Sequence, residues 1–183
     1  GIYPYDDKKS RMPSISISSN FSNFPLSIVN QYLPKFFDLN GDATGAINIS
    51  GNPKKSNYSY LIEVDNMIFD LVELGKVSVK GSYKNNSLFI EKFYSNSING
   101  EINISGFIPY NLNIGSNDIG KYFSDDSFDL SIHSKLNNLY LLTPYVSDLD
   151  SIIGDIDVSL ELSGKPDKIQ RNGKINIKNG QLY

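Results

Sequence analysis

Aliphatic and polar residues alternate one by one along most of this chain. Ile47-Asn48-Ile49-Ser50, Val77-Ser78-Val79-Lys80, Ile102-Asn103-Ile104-Ser105 and the run from Ile156 to Ser163 each put every second side chain on one side. A period of two marks a β-strand with one apolar and one wet face. Strands are predicted over 14–18, 46–50, 57–64, 76–83, 87–93, 101–105, 128–134, 155–163 and 174–178, with a short one at 181–183. Lys84-Asn85-Asn86 and Asn179-Gly180 supply turn residues. Short strands with Gly or Asn between them predict an all-β, mainly antiparallel meander.

Two stretches replace alternation by helical spacing. From about Pro25 to Phe37, Leu26, Val29, Leu33 and Phe36 form an apolar stripe; Pro25 suits a first turn and Pro34 forces a kink or a break. From about Leu136 to Ile152, Leu139, Leu142, Val146 and Leu149 line one side of a stretch that contains Pro144. These two short amphipathic helices either cover and cap part of the sheet or gate lateral access to it.

The pattern also repeats. The frame Gly41 to Gly51, followed by Pro53, recurs as Gly154 to Gly164, followed by Pro166. Upstream, Leu26, Val29, Tyr32, Pro34, Phe36 and Leu39 are echoed by Leu136, Leu139, Leu142, Pro144, Val146 and Leu149. One unit therefore occurs about twice, over about 18–114 and 127–183, with a Gly-, Ser- and Asp-rich loop at 115–126. Residues 1–183 form one continuous segment in this reading, not two domains.

Composition narrows the function classes. A hydrophobic content of 39% and a charged content of 20% are those of a folded protein. A net charge of -3 with scattered lysines lacks the basic stripe that nucleic acid requires. The chain has no cysteine, which excludes disulfide scaffolds and thiolate metal sites. No apolar run approaches the ~20 residues that span a bilayer, and Gly1-Ile2-Tyr3-Pro4 carries neither an initiator Met nor a signal peptide. An internal piece of a longer protein is expected.

Apparent sites dissolve on inspection. Asp38-Leu39-Asn40-Gly41-Asp42 imitates the start of a calcium loop, but Ala43 replaces the turn glycine and Ile49 the twelfth-position acid. Of the pairs Asp125/Asp126, Asp148/Asp150 and Asp155/Asp157, the last shares a strand face, but a wet, solvated one opposite Ile156 and Val158, whereas catalytic carboxylates need burial or strong coupling. His133 is the only histidine and has Ser131 and Lys135 as wet-face neighbours. Ser50, Ser105 and Ser163 each precede a glycine, without a Gly-x-Ser-x-Gly elbow. No enzyme, cofactor or metal is expected.

What covers the apolar face is left open by alternation: a second sheet, the same sheet curving back on itself, or a foreign apolar ligand. At this point the residues resemble a family. Pro34-Lys35-Phe36-Phe37 leading to Leu39-Asn40-Gly41 and Ile47-Asn48-Ile49-Ser50-Gly51-Asn52-Pro53 is similar to the TamB and AsmA-like proteins of diderm bacteria. Leu160-Glu161-Leu162-Ser163-Gly164-Lys165-Pro166 followed by Gly173-Lys174-Ile175-Asn176-Ile177-Lys178-Asn179-Gly180 resembles their recurring unit more closely. The middle, Gly75 to Ile108, matches in style only.

The resemblance implies an elongated curved sheet folded into a groove, the β-taco, forming part of a periplasmic bridge anchored in the inner membrane. That anchor is absent from this piece. It further implies phospholipid transport between the inner and outer membranes and support of outer-membrane biogenesis or protein assembly. An outer-membrane barrel of the TamA or BamA kind would be the partner, through other parts of the full protein. The groove wall would be Ile15, Ile17, Ile47, Ile49, Tyr60, Ile62, Val77, Val79, Leu88, Ile90, Ile102, Ile104, Leu130, Ile132, Ile156, Val158, Leu160, Leu162, Ile175 and Ile177. Phospholipid acyl chains would slide along it, because each buried methylene contributes about 0.8 kcal/mol wherever it lies. Two other readings fit the pattern: a structural scaffold with a self-filled core, and a secreted β-repeat adhesin or carbohydrate binder using Tyr58, Tyr60, Phe89, Phe93 and Tyr94. Open sheet edges also invite edge-to-edge dimers.

Overall fold

Among the described residues, nine strands follow one another across a single sheet in the order of the chain, every neighbouring pair antiparallel. The structure is a computed structural model that describes residues 14–32, 38–70, 72–121, 126–138, 152–165 and 167–182. The strands are β1 (Ile15–Pro25), β2 (Leu39–Asn52), β3 (Lys55–Phe69), β4 (Val72–Lys84), β5 (Ser87–Ser97), β6 (Gly100–Pro109), β7 (Phe128–Asn138), β8 (Ile152–Lys165) and β9 (Lys168–Leu182). Among the described residues β1 and β9 are the outermost strands.

Most connections are tight hairpins, which is why sequence order and spatial order coincide. Lys84 pairs with Ser87 around Asn85 and Asn86, whose φ values of 51° and 61° suit the mirror-image turn that matches strand twist. The strands run longer than alternation alone predicts, because bulges let a strand continue past a residue that breaks its period. In β5 one such bulge lies between Ile90 and Phe93, so that both residues reach the same face although three positions separate them.

The helical expectations need correction. The first stretch is a short 3-10 helix, Leu26–Tyr32, and Leu33, Pro34 and Phe36 lie outside the described residues. Asn30 secures its end: its side chain donates to the Leu39 carbonyl at 3.0 Å and accepts from the Leu39 amide at 2.9 Å. The ends of the second stretch are strand, Leu136 in β7 and Ile152 in β8, and Leu139, Leu142, Pro144, Val146 and Leu149 lie outside the described residues. Alternation there overrides the helical spacing, since Leu136 lies opposite Ile156 in an antiparallel ladder. Asn179-Gly180 is likewise no hairpin turn but a bulge within β9, with Asn179 at φ 55°.

The two frames carry the same backbone devices 113 residues apart. Gly41 and Gly154 each face a two-residue bulge whose first residue is an asparagine at positive φ, Asn66 in β3 and Asn179 in β9. Gly51 and Gly164, with φ of 97° and 104°, each approach the backbone across the following hairpin, at Lys55 and Lys168. A side chain at either position would be strained.

Two apolar clusters are buried, and Tyr83, Pro109, Ser56, Asn111 and Asn113 are buried at a third place, where the segment after β6 crosses. Ala43, Val64, Met67 and Val77 form a cluster on β2 to β4, covered by Phe21, Leu26 and Leu39. Leu136 and Ile156 form the second, against which Ile102, Val158 and, from β4, Val72 pack. β4 and β7 are three steps apart in the sheet, roughly 14 Å if it were flat. Contact between them requires the sheet to curl at that end.

Candidate functional site

Paired residues in an antiparallel ladder share a face, so the register traces rows of side chains across the sheet. One row runs Phe21, Gly45, Ile62, Val79, Phe93, Ile104, Ile132, Leu160, Gly173, through all nine strands. Beside it runs Ser19, Ile47, Tyr60, Gly81, Ile90, Gly106, Leu130, Leu162, Arg171. On the first row's other flank lie Phe24, Ala43, Val64, Val77, Ser95, Ile102, Ser134, Val158 and Ile175. Shorter rows join Ile17, Ile49, Tyr58, Tyr83, Leu88 and Ile108, and Leu136, Ile156 and Ile177. Every expected wall residue falls in these rows, except Ile15, which lies on the same face of β1 two residues before Ile17.

Cover over this face is uneven. Val77 and Ile156 are buried, the wall residues of β5 to β8 other than Ile156 are half-buried, and at the rims Ile17 is 49%, Ile177 54% and Ile175 66% exposed. Glycines at Gly45, Gly81 and Gly106 leave gaps in the rows. One of them is filled by a neighbour: the Tyr60 ring lies over Gly81, where a Cβ would collide with the phenol, and its hydroxyl donates to the Phe89 carbonyl at 2.8 Å. Burial, helped by the charge of Glu91, pushes the Tyr60 phenol up to about 12.

A strap after β6 closes one end of the face. Tyr58 donates its hydroxyl to the Leu112 carbonyl, and the Leu112 amide donates to the Tyr83 hydroxyl at 3.0 Å. Burial raises the Tyr83 phenol, an effect opposed by the Leu112 amide and reinforced by Tyr58. Asn113, buried, accepts the Ser56 amide at 2.9 Å and donates to the Asn86 side chain at 2.8 Å, and Gly115 donates to the Pro53 carbonyl at 2.8 Å. The strap thus ties β6 to the hairpin ends of β2–β3 and β4–β5.

The other face is wet and its charges pair. Lys76 lies 3.6 Å from Glu63 and 3.9 Å from Asp65, and Lys80 lies 2.9 Å from Glu91. A depression of about 350 Å³ on this face is lined by Glu101, Asn103, His133, Lys135, Asp157 and Lys174 among others. Opposite charges alternate within it, Glu101 beside Lys135 and Lys135 beside Asp157. Ser131 donates to Glu161 at 2.8 Å, so its oxygen faces His133 Nε2, 3.1 Å away, as an acceptor. In this arrangement the Ser131 proton points to Glu161 and away from His133.

Asp38 to Asp42 run straight into β2 instead of looping, and the Asp38 carboxylate accepts from Asn30 at 2.7 Å. Asp155 accepts from Asn179 at 3.4 Å and Asp157 pairs with Lys178 at 3.8 Å. Asp125, Asp148 and Asp150 lie outside the described residues. The five aromatic residues do not form one platform: Tyr58, Tyr60 and Phe93 fall in the apolar rows, whereas Lys92 lies over Tyr94 and Lys84 over Phe89, which stacks on Phe107. The expected wall left out Phe93, whose parity the β5 bulge hides, and Arg171, the one charged residue in the rows, together with Phe21, Ala43, Val64, Tyr83 and Leu136. Counting 113 residues on from Tyr58 would have found Arg171.

Comparisons with family models, with curated proteins and with solved structures returned no match.

Proposed function

We propose that this chain is a segment of a periplasm-spanning bridge of the TamB and AsmA-like kind. Its apolar face forms a taco-like trough that conducts phospholipid acyl chains between inner and outer membranes, in support of outer-membrane biogenesis. The barrel partner would be engaged by other parts of the full protein, and the segment performs no bond chemistry.

One observation carries this reading: mainly apolar rows, interrupted by single glycines and serines, run in register from strand to strand, and their cover thins out towards β1 and β9. Neighbouring positions offer similar apolar area, so a hydrocarbon tail gains comparable transfer free energy at each step and meets no deep trap. The curl implied by Val72 against the β7–β8 cluster supports a trough over a flat sheet. The scaffold reading draws on the sealed cluster of Ala43, Val64, Met67 and Val77.

Photo-crosslinking side chains at Ile104 and Val158 in the apolar rows, and at Asn103 and Ser159 on the wet face, separate the two. A conduit captures phospholipid at the first pair only. Equal capture on both faces, or none at Ile104 and Val158, removes the conduit and leaves the scaffold.

A further inference from the structure

We propose that the strap and the 3-10 helix pinch the trough over β2 to β4 into a waist two rows wide, which passes one lipid at a time with two acyl chains abreast and turns back lipids that carry six. This rests on the conduit reading above and narrows it to a substrate class. The waist lies on inner strands of the sheet, with β1 on one side and β5 on the other. Its two walls stand on the same, apolar face. The helix sets Leu26 against the cluster of Ala43, Val64, Met67 and Val77, and the strap sets Leu112 between the hydroxyls of Tyr58 and Tyr83.

Register gives the width between the walls. Tyr58 and Val64 lie six positions apart on β3, and so do Val77 and Tyr83 on β4. Two apolar-face residues are left between the walls on each strand: Gly45 and Ile47 on β2, Tyr60 and Ile62 on β3, Val79 and Gly81 on β4. Rows two residues apart are about 7 Å from one another, room for one hydrocarbon chain along each. The floor has no pit there, because the Tyr60 ring fills the gap at Gly81. Both walls are pinned. The buried Asn113 ties the strap to Ser56 and Asn86, and Asn30 ties the end of the helix to Asp38 and Leu39. The strap's anchors at Ser56, Tyr58, Tyr83 and Asn86 lie on β3, on β4 and in the turn after it, and none of these is on β7, where Leu130 and Ile132 are half-buried.

An acyl chain that finds no row to lie on leaves its methylenes in water, so the number of chains a waist can cover decides which lipids pass. Two rows cover both chains of a glycerophospholipid side by side, while its headgroup stands in water between the walls. A six-chain glycolipid fares worse. Even with its chains splayed forwards and backwards along two rows, it covers four and leaves two exposed. The waist therefore selects on the number of chains and is indifferent to headgroup charge, since none of the residues on its floor is ionised at neutral pH.

The test places a short photoreactive diazirine side chain at Ile47, in the waist, or at Ile132, on β7. The purified protein is mixed with vesicles of phosphatidylethanolamine containing hexa-acylated lipid A, and the captured lipid is identified by mass spectrometry. Relative to vesicle composition, capture at Ile47 should favour phosphatidylethanolamine about tenfold or more, and capture at Ile132 should stay within about twofold of parity. Asn113→Ala loosens the strap and Asn30→Ala the end of the helix; either should raise lipid A capture at Ile47 towards the level at Ile132. Lys92→Gln, on the wet face of β5, should change neither ratio. Lipid A captured equally at both positions overturns the waist and leaves the conduit standing. Lipid A captured at neither position also overturns it, because the trough is then narrow throughout and the two walls set nothing. A preference at Ile47 that survives in both wall variants does the same, assigning the width to the floor. Capture of neither lipid at either position sinks the conduit itself. A variant that no longer captures phosphatidylethanolamine at Ile132 has lost its fold, and the wild-type comparison then decides alone.

Discussion

Val64 on β3 and Ile177 on β9 occupy the same place in the two frames, 113 residues apart, yet Val64 is 4% exposed and Ile177 54%. The backbone around them is alike: each precedes by two an asparagine at positive φ, in a bulge opposite the first glycine of the frame. What differs is the company. β3 has β4 on its far side and Phe21, Leu26 and Leu39 near the cluster that it joins, whereas no strand flanks the far side of β9 among the described residues. The repeat thus specifies a strand pair with one apolar face, and the segments outside it decide whether that face is sealed.

The strongest way to break this contrast is to place a charge at both positions. Val64→Asp puts an unpartnered carboxylate into a closed cluster and should cost about 4 kcal/mol or more, enough to unfold a marginal domain. Ile177→Asp, on an exposed rim, should cost under about 1 kcal/mol. Urea denaturation followed by circular dichroism reads both, and similar losses at the two sites would mean that the rim is covered in solution.

A smaller effect isolates the strap, which the second frame has no counterpart for among the described residues. Asn113→Ala removes the acceptor of the buried Ser56 amide and should cost about 1–3 kcal/mol. Hydrogen exchange should then speed up at Ser56 and Leu112 and remain unchanged in β8. Exchange that accelerates throughout the sheet would show the strap to be part of the global folding unit, not a local closure.

Alternation made the face legible, because a β-strand's period is short enough for four residues such as Ile102 to Ser105 to declare it. It could not declare the bulges. Phe93 looks like a wet-face residue until one extra residue in β5 shifts its parity, and Asn179-Gly180 reads as a hairpin turn because the same left-handed preference serves a bulge. Helical spacing misled at Leu136, where three- and four-residue intervals between leucines coexist with an alternating Leu130, Ile132, Ser134 that extends the strand. Cover is the least legible property of all. The strap is built from backbone groups of Leu112 and Gly115 and from two buried asparagines, and no hydrophobic pattern announces it.

The gentlest probe of the two frames is alkaline pH. Tyr60 in the first corresponds to Gly173 in the second, so only the first has a half-buried phenol lying over a neighbouring strand. Its pKa is raised from 10.0 to about 12, chiefly by burial and next by Glu91. Because the folded state holds this proton more tightly than the unfolded one, the stabilisation is complete below pH 10, falls as pH rises between 10 and 12, and is gone above. Discounted for the partial exposure of the ring, the loss attributable to Tyr60 should be about 1 kcal/mol. Tyr60→Phe keeps the ring over Gly81, gives up the bond to Phe89, and should flatten the stability profile in that window relative to wild type. A variant whose alkaline profile parallels the wild type would mean that the phenol is solvated in both states, and that the gap at Gly81 stands open to the trough instead of being filled from β3.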